Sequence, residues 1–255
     1  MYSSTLVKTA LSSATATTRW IAPVLLATAL GMAAAWAQTD SSFDRTCYGT
    51  GSPDQTIKAC SSIIAGGLVQ REDLAAAFRR RGNAYDDVGD YDSAIDDYRH
   101  AIAINPGNAG VFNDRGTSHR AMGQYELSIL DYDQALVLSP ENAMALSNRC
   151  FAKAVMDRLE EALIDCNESL RLRPGDSSTL ASRGFALLKI GRWASAIADY
   201  DAQILANPGN PYALFGRGIG KRVTGDLSGG SADMAAAKTI DADIEVAMAK
   251  LGVRP

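Results

Sequence analysis

The stretch Gly82–Pro106, GNAYDDVGDYDSAIDDYRHAIAINP, contains two short helix-forming runs parted by Gly89 and closed by Pro106. A glycine suits the left-handed residue that ends a helix, and a helix has to stop ahead of a proline. The same features return every 34 residues. A fixed period of this size marks a repeat architecture, in which one supersecondary unit stacks on copies of itself. With Ala75, Ala109, Ala143, Ser177 and Pro211 as first residues, the eighth residues are Gly82, Gly116, Cys150, Gly184 and Gly218. The twentieth are Ala94, Ser128, Ala162, Ala196 and Gly230. Small residues at these two places let two antiparallel helices come close. Gly89, Gly123, Gly191 and Gly225 take the fifteenth position, where the third unit has Asp157. Pro106, Pro140, Pro174 and Pro208 take the thirty-second.

Each unit is therefore a helix, a tight turn, a second helix and a break. This pattern resembles the tetratricopeptide repeat, with Gly82, Tyr85, Tyr91, Ala94, Tyr98, Ala101 and Pro106 on its signature positions. The resemblance implies an all-α, right-handed α-solenoid of helix-turn-helix units over 75–108, 109–142, 143–176, 177–210 and 211–244, with 245–255 as a C-terminal cap. The fifth unit departs most from the pattern, through Gly230, Ala242 and a missing terminal proline, as a terminal repeat does. A further amphipathic helix over 243–251 is expected to cover the last apolar face. Within 38–74, the run SPDQTIKACSSIIAGG reads as a lone half-repeat helix, with Ser52 as N-cap, Pro53 at the first helical position and Ile57, Ile63 and Ile64 buried.

Lys8 and Arg19 are the only charges before Asp40, and an apolar run follows from Trp20 to Ala37. A basic start, an apolar middle and the small-x-small triplet Ala35-Trp36-Ala37 describe a secretory signal peptide over 1–37, cleaved before Gln38. The uncharged run Trp20–Thr39 is also nearly long enough to span a bilayer, so an uncleaved anchor stays open. Removing 1–37 takes away Lys8 and Arg19 and no acid, which moves the formal charge from −4 to −6. So acidic a chain lacks the basic stripe that phosphate-backbone affinity requires, and nucleic acid is discounted as a partner.

The seventh position is Arg in every unit (Arg81, Arg115, Arg149, Arg183, Arg217) and the twenty-third is Asp in every unit (Asp97, Asp131, Asp165, Asp199, Asp233). These positions lie almost opposite each other across the turn, so a ladder of bidentate structural ion pairs is expected. An Arg held by a carboxylate is neither acid nor base. The two histidines, His100 and His119, belong to no metalloprotease or nucleophile arrangement, and no phosphate loop, dinucleotide fingerprint or nucleophile elbow occurs. The chain reads as a non-enzyme without cofactor or metal.

The resemblance further implies a protein interaction scaffold whose first helices line a concave groove. Family contact positions fall on Arg79, Asn83, Asp86, Asp87, Asn113, Thr117 and Arg120 in the first two units. In the last three they fall on Phe151, Phe185, Leu188, Lys189, Tyr212, Phe215, Ile219 and Arg222. Such a groove, polar at one end and apolar-aromatic at the other, suits an extended or helical segment with a few large anchors. The same aromatics can instead pack on neighbouring first helices or under the C-terminal helix. Some family members clamp a terminal carboxylate, but Asp114, Met144 and Asn148 stand where the remaining clamp residues belong. The expected partner is another exported or envelope protein of a periplasmic or secreted bacterial scaffold. The alternative is a membrane-tethered or accessory module of a secretion or cell-wall enzyme complex.

Four cysteines in an exported chain suggest two disulfides, and their spacing lacks a CxxC zinc signature. Three pairings are possible. Cys150 and Cys166 occupy facing positions of one hairpin, and Cys166 replaces a tyrosine present in units one, two and four just as Cys150 replaces a glycine. This paired exchange predicts a Cys150–Cys166 bond, leaving Cys47 to Cys60.

Overall fold

The computed structural model describes Cys47, Gly49, residues 51–66 and residues 70–254. The signal-peptide reading of 1–37 and the run Trp20–Thr39 lie outside the described residues. Among the described residues are twelve α-helices and no strand: α1 Pro53–Gly66, α2 Arg71–Asp87, α3 Tyr91–Ile104, α4 Ala109–Ala121, α5 Tyr125–Leu138, α6 Ala143–Val155, α7 Leu159–Leu172, α8 Ser177–Lys189, α9 Trp193–Ala206, α10 Pro211–Val223, α11 Leu227–Ile240 and α12 Ile244–Lys250. None of them is long and apolar enough to cross a membrane.

Consecutive helices pack as hairpins, each hairpin stacks on the next, and α1 packs on α2. First helices also touch the first helix of the following unit, from α2 to α4 through to α8 and α10, whereas the second helices of the five hairpins do not touch one another. That asymmetry places the first helices on the inner side of the stack. The first hairpin begins at Arg71, one turn ahead of Ala75.

Local chemistry sets the ends of these helices. Asn108, Asn142, Asp176 and Asn210 follow each proline by two residues, and each accepts a backbone N–H of the helix it opens. Ser52 and Gln55 form a capping box on α1: the Gln55 N–H donates to the Ser52 hydroxyl at 3.4 Å, and the Ser52 N–H to the Gln55 side chain at 3.1 Å. Ala59 and Cys60 are the buried residues of α1, with Ile57, Ile63 and Ile64 half-buried. In the third unit Asp157 takes the left-handed turn conformation, at φ 59°. Lys189, from the end of α8, reaches this turn, with its ammonium 2.7 Å from the Asp157 carboxylate and donating to the Ala154 carbonyl at 2.9 Å. A cation at the exposed carbonyls of a helix C-terminus is favourable.

Close approach within a hairpin comes from one recurring contact. A Cβ on Gly82 would sit 2.7 Å from the Tyr98 ring, one on Gly116 2.8 Å from Tyr132, and one on Gly184 3.0 Å from Tyr200. In the third hairpin neither glycine nor tyrosine is present. The sulfurs of Cys150 and Cys166 bond there, with Cα atoms 5.4 Å apart, and Cys47 and Cys60 bond likewise at 4.9 Å. The twentieth positions, read from sequence as the partner of the eighth, are buried in every unit, and in the fifth Gly230 lies directly against Gly218.

The cores of the two ends differ. Residues of α6 to α12 form one continuous apolar cluster around Tyr200, Phe215 and Leu188, while the N-terminal hairpins hold smaller separate clusters. Helix α12 packs on both helices of the fifth hairpin. Its Ile244 and Met248, with Val253 just beyond it, are buried against that cluster.

Candidate functional site

Arginines at the seventh position meet the aspartates at the twenty-third two-pronged in all five hairpins, at 2.6–2.9 Å. Most of these arginines reach backwards as well. Arg149 donates to Asp133, Arg183 to Asn167 and Arg217 to Asp201, each on the preceding unit, while Arg81 donates to Ser61 on α1. The ladder therefore ties hairpins to each other as well as closing each one. A second basic side chain joins it from the eleventh position: Lys153 donates to Asp165 at 2.8 Å, Lys221 lies 2.9 Å from Asp233, and His119 Nε2 stands 3.8 Å from Asp131. Sequence reasoning missed this group, although the i, i+4 spacing from the arginines was there to find it. Burial raises the pKa of Asp233, but hydrogen bonds from Arg217 and Lys221 outweigh it and hold the carboxyl below its ordinary value. Each arginine is held two-pronged by the carboxylate of its own hairpin, which is the arrangement of a structural ion pair.

The N-terminal part of the inner face satisfies its own polar groups. Arg79 pairs with Asp114 at 2.7 Å. The Tyr98 hydroxyl lies 2.8 Å from Asn83 and 2.7 Å from Asp86, whose other oxygen accepts from Ser118. Burial, partly offset by these hydrogen bonds, raises the pKa of Asp86. Asn148 donates to Asn113, and the Thr117 hydroxyl turns back to the Asn113 carbonyl. A polar cavity of about 360 Å³ beside Arg79, Asn83 and Asn108 marks this end.

Toward the C-terminus a larger cavity, of about 450 Å³, opens on the inner face. Arg120 and Tyr125 stand at the second unit, Phe151 and Phe185 in the middle, and Tyr212, Met248 and Leu251 at the far side. The Phe151 and Phe185 rings lie 5.7 Å apart, and the Arg120 guanidinium lies 5.5 Å from the Phe151 centroid. Phe151 is half-buried and Tyr212 is 45% exposed.

Five predicted groove residues are placed elsewhere, Lys189 on the Asp157 turn among them. Leu188, Phe215 and Ile219 are buried in the apolar cluster to which α12 contributes Ile244 and Met248, and α12 packs on α10, the helix that carries Phe215 and Ile219. Arg222 turns to its own hairpin and donates to Ser231. In exchange, Tyr125, Met248 and Leu251 line the cavity, a role no local pattern discloses. Among the described residues, no cluster of three or more His, Cys, Asp or Glu side chains could hold a metal.

Stacked hairpins with small residues at their contacts and an inner face built from first helices define a helical repeat solenoid. Residues 75–108 match the tetratricopeptide repeat family, and residues 113–177 match a second tetratricopeptide repeat family. The chain carries tetratricopeptide repeats. No curated protein matches the sequence. Similar solved structures include YrrB, described as a TPR protein with an unusual peptide-binding site, at 17% identity and TM-score 0.56, covering 77% of this chain and 100% of that one. A fragment of MamA from Desulfovibrio magneticus RS-1 aligns at 13% identity and TM-score 0.58, covering 69% and 98%. A tetratricopeptide repeat protein from Parabacteroides merdae ATCC 43184 aligns at 15% identity and TM-score 0.65, covering 84% and 85%. At these identities the likeness concerns the fold.

Proposed function

We propose that this chain is an exported, non-catalytic scaffold that holds a segment of a partner protein on the inner face of its repeats. The observation that carries this reading is the aromatic cavity between Arg120 and α12, where Phe151 and Tyr212 keep exposed surface instead of closing into the core. The peptide-binding site named for YrrB supports it by fold. Export is supported by the basic, apolar and small-x-small order of the N-terminal sequence and by two disulfides, which persist in oxidising compartments. The partner is then another exported or envelope protein.

The test compares proteins captured from an envelope extract by the native chain and by a Phe151→Ala/Tyr212→Ala variant whose helical signal and melting point are unchanged. Partners lost with the variant are expected. The same set captured by both would remove the groove from the function. Phe215 is unsuitable for this test, since its side chain is fully buried and its loss would unfold the last hairpin.

A further inference from the structure

Arg120 is half-buried, its Nε is buried without a hydrogen-bond partner, and among the described residues no carboxylate pairs with it. The Tyr132 hydroxyl beside it stays protonated, because burial raises its pKa, and so brings no counter-charge. The arginines of the ladder all meet aspartates. A cation withdrawn from water without a counter-charge costs free energy that an incoming carboxylate can return. The guanidinium carbon lies over the Phe151 ring at 5.5 Å from its centroid, a cation–π contact that uses none of its N–H donors. Beside this single charge the cavity offers Phe151, Phe185, Tyr212 and Met248, which are apolar or aromatic.

Resting on the groove reading above, we propose that this cavity takes a peptide segment in which one acidic side chain lies beside a large apolar one. Arg120 receives the carboxylate, and the aromatic pair with Tyr212 and Met248 receives the apolar anchor. The chain's formal charge of −4 opposes a run of acids at long range, so a single carboxylate read at contact distance fits the site better than an acidic tract. The arrangement differs from a clamp of several cations on a chain terminus. Among the described residues that line the cavity Arg120 is the only cation, and Arg79, at the other end of the face, is already paired with Asp114.

The test uses an array of end-capped twelve-residue peptides on a Ser/Gly background, carrying one Glu and one Phe, Leu or Trp at spacings of one to four residues. Each has a Gln counterpart. Binding to the full chain, to Arg120→Gln and to Arg222→Gln is measured by fluorescence anisotropy. The native chain and Arg222→Gln are expected to prefer Glu over Gln peptides by about tenfold, a preference that Arg120→Gln abolishes while retaining the apolar preference. Phe151→Ala is expected to lose the apolar preference and keep the charge preference. Equal binding of Glu and Gln peptides by the native chain overturns the proposal, as does a Glu preference that survives Arg120→Gln. Binding only when the peptide C-terminus is left free would transfer the site to a chain-terminal carboxylate and overturn it. Failure of every peptide while 3-phenylpropionate binds would make it a small-molecule site and overturn it equally. Partner capture that is lost with Phe151→Ala/Tyr212→Ala but unaffected by Arg120→Gln would leave the groove standing and remove this inference alone.

Discussion

In the first, second and fourth hairpins a glycine on the first helix faces a tyrosine ring on the second, and in the third a disulfide crosses the same gap. The glycine joint works by absence: the ring fills the space a Cβ would need, so the backbones approach and the aromatic surface is buried. The cystine joint spans the gap with two short side chains and a bond. It gives up the large apolar area of a tyrosine and gains a restriction on the unfolded chain. The third hairpin also carries the left-handed Asp157 in place of a glycine and a buried Lys153 on its ladder aspartate. Packing losses at this one unit therefore coincide with a covalent link and extra ionic contacts.

The largest effect is expected from removing the bond. Cys150→Ser/Cys166→Ser should lower stability by about 3 kcal/mol in a urea titration, from the loop-closure entropy returned to the unfolded chain. Cys150→Gly/Cys166→Tyr should recover part of that loss by rebuilding the joint of the neighbouring units. If it is no more stable than the serine pair, the two joints are not interchangeable. Gly116→Val should cost about 2 kcal/mol, since its Cβ would fall 2.8 Å from the Tyr132 ring and 3.2 Å from the Asp131 Cβ. Gly66→Ala, with nothing within 4 Å of the added carbon, serves as the control and should change little.

The ladder distinguishes the third and fourth hairpins more finely. Arg183→Met leaves Asp199 without a cation and should cost about 2 kcal/mol, because Leu187 stands where the third unit has Lys153. Arg149→Met should cost about half as much, because Lys153 stays on Asp165. Equal losses in the two variants would show that Lys153 does not substitute for the arginine. The smallest expected effect is a gain. Asp157→Gly relieves a left-handed side-chain conformation and loses a pair whose carboxylate is 77% exposed, so a rise of about 0.5 kcal/mol is expected from thermal melts. A fall instead would give the Lys189 contact more weight than the backbone.

Much of the fold was legible in the residues because its determinants are local and repeated. Gly89 and Pro106 act on their own backbones, so their recurrence announces each turn and break wherever it occurs. The facing pair Cys150 and Cys166 was legible for the same reason, as an exchange against a pattern the other units keep. The inner face was less legible. Leu188 and Ile219 occupy the same kind of first-helix positions as Arg120 and Phe151, yet they are buried in the C-terminal apolar cluster that α12 joins.

The period, the hairpins, the sign of the turns, the ladder and the cysteine partners could all be had from the residues alone, because they follow from backbone preferences and spacings within a unit. Which inner positions remain open could not. That Met248 and Leu251 wall a cavity begun by Arg120 and Phe151, and that Arg120 meets no carboxylate among the described residues, emerge when the units are stacked. Those outcomes depend on where non-neighbouring units and a terminal helix come to rest. Their physical cause is the cost of leaving the last apolar face in water, a property of the whole stack.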